Sequence, residues 1–149
     1  MSNWRNNDVM TINDLEPLVG EWKVEAGFPG ADEIDASCNI EWILGGALLL
    51  QRQTVDYEPA PDSHSLISAN EDGSFIQHYF DSRGVVRVYA MTFENGQWTL
   101  LRDKPDFSPL DFSQRYIGEL SGDRIDGRWE IKEPGEDWRV DFTLNYVRR

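Results

Sequence analysis

The sequence predicts an all-β protein: an antiparallel up-and-down barrel of about ten strands with a short N-terminal helix at one end. Three observations predict it. Short segments rich in Val, Ile, Trp, Tyr and Phe follow one another with no crossover helix between them. Turn chemistry separates them, at Gly45-Gly46, Asp72-Gly73, Arg83-Gly84, Asn95-Gly96 and Gly122-Asp123. Apolar and polar residues alternate with a period of two, so that one face of a sheet meets a core and the other meets water. A meander of this kind removes its unpaired edges by closing on itself.

Residues 1–10 are polar and irregular and read as a flexible arm, followed by a single barrel domain over 11–149. Thr11 can cap a helix in which Ile12, Leu15 and Leu18 recur at helical spacing, and Gly20 follows its end. Strands are expected at 20–26, 36–44, 47–56, 65–70, 75–81, 85–93, 98–103, 112–120, 125–132 and 138–147. The connections 58–65 and 104–111 hold proline clusters, and 27–36 forms a third long loop.

Tight turns propagate the faces, because cross-strand partners point the same way. A two-residue turn at Asn95-Gly96 sets Phe93 beside Trp98, Met91 beside Leu100 and Tyr89 beside Arg102. One at Arg83-Gly84 sets Phe80 beside Arg87 and His78 beside Tyr89. The face carrying Ile76, His78, Phe80, Arg87, Tyr89, Met91, Phe93, Trp98, Leu100 and Arg102 is the bulkier and is expected inside. Gly122-Asp123 brings Phe112, Gln114, Tyr116 and Leu120 beside Ile125 and Trp129. Gly45-Gly46 brings Cys38, Ile40 and Trp42 beside Leu49, Gln51 and Gln53. Val140, Phe142, Leu144 and Tyr146 share a face in the last strand. The opposite parity, which a one-residue bulge would produce, puts Arg87 and Arg102 on the surface and Val86, Val88, Ala90 and Leu101 in the core.

With 149 residues the chain can bury about 70% of its unfolded surface and needs no covalent staple. A net charge of -13 argues against nucleic acid and anionic membranes as partners. A single cysteine, Cys38, excludes a disulfide framework and a thiolate zinc site, and no metal-ligand spacing is present. The stretch MSNWRNNDVM does not read as a signal peptide, and a cytoplasmic protein is expected. No nucleophile elbow or phosphate loop is present, and no cofactor is expected.

The inward face therefore combines aromatics with His78, Arg87, Tyr89, Arg102, Gln114 and Tyr116. The leading expectation is a site for a small, mostly apolar ligand with a polar or acidic end. Met91, Phe93, Trp98, Phe112, Trp129 and Phe142 would line its body, and Arg87, Arg102, Tyr89, Tyr116 and His78 would meet its polar end. Two rivals stand beside it. An isomerase- or cyclase-like reaction could use His78, Tyr89 and Arg87 in the same cavity. A filled barrel could act through its surface, as a homodimer along an exposed strand.

The segment LEPLVGEWKVEA, a short helix leading into Gly20-Glu21-Trp22, resembles the calycin superfamily of lipocalins, fatty-acid-binding proteins and nitrobindins. That resemblance implies that Trp22 plugs one end of the barrel and that a late arginine, Arg148, packs over its ring. The stretches LVGEW, EWILGGALLLQR, QHYFDSRGVVRVY and GRWE are similar to a family of small bacterial lipocalin-like domain proteins, over residues 12–148. That family implies the barrel and no particular activity. Nitrobindins hold heme on a histidine near the C-terminus. Here the histidines are His64 and His78, so the nitrobindin ligand is not carried over and the heme-binding alternative would depend on His78.

Overall fold

The computed structural model describes residues 10–149; the arm expected over 1–10 lies, Met10 apart, outside the described residues. The strands are β1 (Gly20–Ala26), β2 (Ala36–Ile43), β3 (Leu48–Val55), β4 (Ser63–Ala69), β5 (Phe75–Asp81), β6 (Val86–Glu94), β7 (Gln97–Arg102), β8 (Ser113–Ser121), β9 (Arg124–Lys132) and β10 (Arg139–Arg148). Each pairs antiparallel with its neighbour in sequence, and β1 pairs with β10 to close the barrel. Every strand is thus paired on both sides, which leaves no edge for strand addition. No helix among the described residues is long and apolar enough to cross a membrane.

The turns set the register. Leu44, Gly45 and Gly46 all take positive φ, and Ile43 opposes Leu48. Asn95 and Gly96 have φ of 52° and 79°, the pair of left-handed residues that a type I′ turn needs, and Glu94 opposes Gln97. Phe93–Trp98, Met91–Leu100, Tyr116–Trp129 and Leu120–Ile125 then follow as expected, all directed inward.

Two connections depart from expectation, each by one residue. Between β5 and β6 the loop is Ser82-Arg83-Gly84. The Gly84 N–H bonds to the Asp81 carbonyl at 2.9 Å, and Gly84 takes φ of 83°. A third loop residue with a left-handed glycine shifts the pairing, so Tyr79 opposes Arg87 and Gln77 opposes Tyr89. Phe75, Gln77 and Tyr79 therefore face inward. Ile76, His78 and Phe80 face outward, the reverse of the expected side. In β10 the register shifts between Val140 and Phe142. Val140 joins the outer face opposite Glu130 and stands 55% exposed, while Phe142 points inward opposite Trp129.

One end of the barrel carries the short turns and is closed. The segment Ile12–Leu18 crosses it as a 3₁₀ helix, because Pro17 lacks the N–H that an α-helical turn would use. The Asp14 carboxylate accepts the Thr11 backbone N–H at 2.7 Å and fixes the start. Trp22 is fully buried beneath this helix and donates its indole N–H to the Leu18 carbonyl at 3.0 Å. The Arg148 guanidinium lies 4.1 Å above the Trp22 ring and bonds to the carbonyls of Val19 at 2.7 Å and Pro17 at 2.8 Å. Gly20 makes room for it: a Cβ there would sit 2.6 Å from Arg148 Nη1.

Above this plug the core is aromatic. Tyr116 lies across the facing pair Gly118–Gly127 and donates its hydroxyl to the Leu144 carbonyl at 2.9 Å. A Cβ on Gly127 would fall 2.2 Å from the Tyr116 oxygen. Gly127→Ala must therefore push a buried, hydrogen-bonded ring. A loss of about 2 kcal/mol in stability is expected. Chemical denaturation checks it, and an unchanged midpoint would show that the ring is free to move.

Candidate functional site

The longer loops gather at the other end and rim a cavity of about 560 Å³. Its walls differ in chemistry because different strands supply them. The positions of β3, β4 and β5 that line it are Gln51, Gln53, Val55, Ser63, Ser65, Gln77 and Tyr79, mostly neutral amides and hydroxyls. Opposite stand Tyr89, Trp98, Phe112, Trp129, Phe142 and Tyr146. The rings meet edge-on or tilted, with centroids 5.7 Å apart for Tyr89–Trp129 and for Trp98–Tyr146. Phe28, Ile34, Tyr57 and Pro61 line the mouth with Arg83 and Arg87.

Charge is distributed unevenly in this space. The described lining residues include no Asp, Glu, Lys or His, but they include two arginines. Arg83 is paired with Asp81 at 2.6 Å and is 60% exposed. Burial favours the neutral form of Asp81, yet hydrogen bonds from Arg83, from Tyr79 and from the backbone hold its pKa down at about 2. Arg87 differs from the rest. Its Nη1 donates to Ser108 Oγ at 3.0 Å and to the Val86 carbonyl at 3.2 Å, and neither acceptor carries charge. Every other arginine among the described residues has a carboxylate within 4.0 Å. In a chain of net charge -13, the arginine without a counter-ion among the described residues is the half-buried one that faces the cavity.

Arg102 is oriented inward but does not line the cavity, which corrects its assignment to the ligand's polar end. Asp106, on the loop between β7 and β8, takes the guanidinium in a two-pronged pair at 2.8 and 2.9 Å. Both side chains are almost fully buried. Asp106 also accepts the Val88 N–H at 2.9 Å, so the pair ties this loop to β6 and β7. The Arg102 hydrogen bonds hold the Asp106 carboxyl well below the usual carboxylate range.

The other expected site residues divide. Arg87, Tyr89, Trp98, Gln114 and Trp129 line the cavity together. Tyr89 donates to Gln114 at 3.0 Å, and burial pushes its phenol up to about 12. Met91 and Tyr116 are buried behind the lining rather than in it. His78 faces outward opposite Val88, so the His78–Tyr89–Arg87 trio is not assembled. His64 is exposed. A histidine-held heme therefore finds no ligand among the described residues of the cavity, and its chemistry does not fit here. Gln77, Ser65 and Tyr79 were missed as lining residues. The signal for Gln77 and Tyr79 lay in the Ser-Arg-Gly turn, whose third residue decides their side.

Three buried polar atoms among the described residues have no hydrogen-bond partner: Gln51 Oε1, Gln77 Oε1 and Trp98 Nε1. All belong to residues that line the cavity. Each such atom costs about 1–3 kcal/mol when left unpaired.

Cys38 lies under this wall and accepts a weak bond from Gln51 Nε2 at 3.4 Å. Burial pushes its thiol up to about 12, which leaves almost no thiolate at neutral pH. The folded protein is expected to resist iodoacetamide at pH 8 and to be alkylated only on unfolding. Rapid labelling of the native state, read by mass spectrometry, would contradict this.

The sequence matches no protein-family profile and no curated protein. Among solved structures, the chain is similar to Rv2717c from M. tuberculosis. The two share 13% sequence identity and a TM-score of 0.68, over 95% of this chain and 99% of that one. At that identity the likeness concerns the fold alone: a closed ten-strand antiparallel barrel, which fits a calycin-like architecture.

Proposed function

We propose that the protein binds a small, mostly apolar ligand with an acidic end inside the barrel, as a member of the calycin superfamily. The superfamily reading is supported by the barrel, by Trp22 in its Gly-x-Trp setting and by Arg148 stacked over it. The ligand reading rests above all on Arg87, an arginine without a carboxylate partner at the mouth of an aromatic cavity. An anion placed there gains a charge-assisted hydrogen bond at a site already partly desolvated. The cavity volume of about 560 Å³ is that of a small-molecule site.

An isomerase- or cyclase-like use of the cavity has less to stand on. The histidine it would need faces outward, and Tyr89 stays protonated at neutral pH.

Trp98 and Trp129 supply the test. Long-chain acids such as palmitate are expected to quench their fluorescence saturably, with competition between different acids. A flat titration across acids of several lengths would overturn the proposal.

A further inference from the structure

We infer that the occupant of the barrel is a flat, ring-bearing acid whose other polar groups, neutral hydroxyls, lie along one edge and meet Ser63 and Gln53. This rests on the reading of the cavity as a site for a mostly apolar acid and narrows the class of that acid.

The lining is divided from side to side. From β9 round to β2 it presents rings and hydrocarbon, among them Trp129, Phe142, Leu144 and Val24. Trp129 and Phe142 oppose each other there, a surface against which a flat ring packs. From β3 to β6 the lining presents mostly amides, hydroxyls and Arg87. Strand register joins this second half: Gln53 opposes Ser63, Gln51 opposes Ser65, Ser65 opposes Tyr79, and Tyr79 opposes Arg87. An alkyl chain would press hydrocarbon on both halves and strip water from polar groups it cannot partner, at about 1–3 kcal/mol for each. A ring system that is polar along one edge satisfies both halves at once.

Much of the polar half is already committed within the protein. The Tyr79 hydroxyl donates to Asp81, Gln77 Nε2 to Ser65 and Gln51 Nε2 to Cys38. Gln53 and Ser63 differ: both are half-buried, both line the cavity, and neither side chain makes a hydrogen bond among the described residues. Arg87 is open along one side as well. Both of its bonds leave from Nη1, so its Nε and Nη2 make none among the described residues. In Arg102 those same two nitrogens grip the Asp106 carboxylate at 2.8 and 2.9 Å. An acid can therefore take at Arg87 the two-pronged place that Asp106 fills at Arg102.

The second contact follows from the register. Ser63 lies two strands from Arg87 and two residues beyond its row. That is about 12 Å between Cα atoms at 4.8 Å per strand and 3.4 Å per residue. Side chains reaching inward from both positions leave the span of two fused rings with their substituents. Asp81 opposes Ser63, and its charge is met by Arg83, so the place suits neither a second carboxylate nor an ammonium. A hydroxyl suits it, because it can both donate to the Gln53 amide oxygen and accept from the serine hydroxyl.

The experiment titrates the full chain calorimetrically with 2-naphthoate, 3,5-dihydroxy-2-naphthoate, 1,7-dihydroxynaphthalene and palmitate. Wild type is expected to bind the dihydroxy acid about tenfold more tightly than 2-naphthoate, the scale of one well-made hydrogen bond. Gln53→Leu with Ser63→Ala should bring that ratio to about one, and Ser63→Ala alone should lower it about threefold. Arg87→Leu should weaken both naphthoates and keep the ratio. Thermal unfolding verifies that each variant is folded. Equal affinity of wild type for the two naphthoates, or binding of palmitate with neither of them, would overturn the polar edge and leave the acid reading standing. A tenfold preference that survives the double substitution would overturn the assignment to Ser63 and Gln53. Binding of 1,7-dihydroxynaphthalene that depends on those two residues, with no acid bound, would overturn the acid reading and keep the edge. Silence from all four probes would overturn both.

Discussion

Arg87→Leu is expected to weaken palmitate binding about a hundredfold, a loss of about 3 kcal/mol. The magnitude follows from what the substitution removes. A carboxylate at Arg87 would gain hydrogen bonds to a cation that is half-buried and has no carboxylate partner. Truncating one side of such a pair also strands the ligand's charge in an aromatic cavity, where it is poorly solvated. The loss should be smaller for Arg87→Lys, which keeps the charge but not the planar fork. Cetyl alcohol, which has no charge to lose, should be indifferent to either change. Raising the salt concentration should weaken palmitate modestly, since the site opens at the barrel mouth and is only partly screened. Equal palmitate affinity in wild type and Arg87→Leu would show that the arginine does not meet the ligand.

Asp106→Asn is expected to destabilise the protein by about 3 kcal/mol, because it leaves the Arg102 guanidinium buried without its counter-ion. For a chain of this length that corresponds to a fall in Tm of roughly 6–12 °C. Replacing both partners with apolar residues, Arg102→Met with Asp106→Leu, should recover part of the loss, since no orphaned charge then remains. The pair also predicts acid sensitivity with a definite sign. The Asp106 carboxyl is depressed in the folded state from an ordinary value of 3.8. Its contribution is therefore complete above about pH 4 and is lost as the pH falls toward the folded value. The wild-type Tm should drop more steeply below about pH 4 than that of Asp106→Asn. Parallel curves for the two proteins would place the ion pair outside the stability of the fold.

Much of this architecture is readable from residue order, and the reason is local. Asn95-Gly96 accepts left-handed φ at both positions, so the turn, its register and the inward direction of Trp98 follow from two residues. Gly122-Asp123 acts similarly for Tyr116 and Trp129. The site is less readable where one residue changes parity. Ser82-Arg83-Gly84 holds one more loop residue than the expected turn, and that extra residue carries His78 outside and Gln77 inside. The register shift after Val140 turns that valine to solvent for the same reason.

By itself the sequence determined the strand count, the turn positions, the helix before Trp22 and an interior rich in rings, because period-two alternation and turn preferences act over a few residues. Only the tertiary structure decided which arginine remains without a counter-ion. Arg87 and Arg102 both point inward from adjacent strands, and each has an aspartate within six residues along the chain, Asp81 before Arg87 and Asp106 after Arg102. The difference lies in how the loop after β7 folds back, setting Asp106, four residues beyond Arg102, at 2.8 Å from that guanidinium and in a hydrogen bond to the backbone beside Arg87. Counter-ion pairing depends on distance in space, which the closing of the barrel fixes and residue spacing does not.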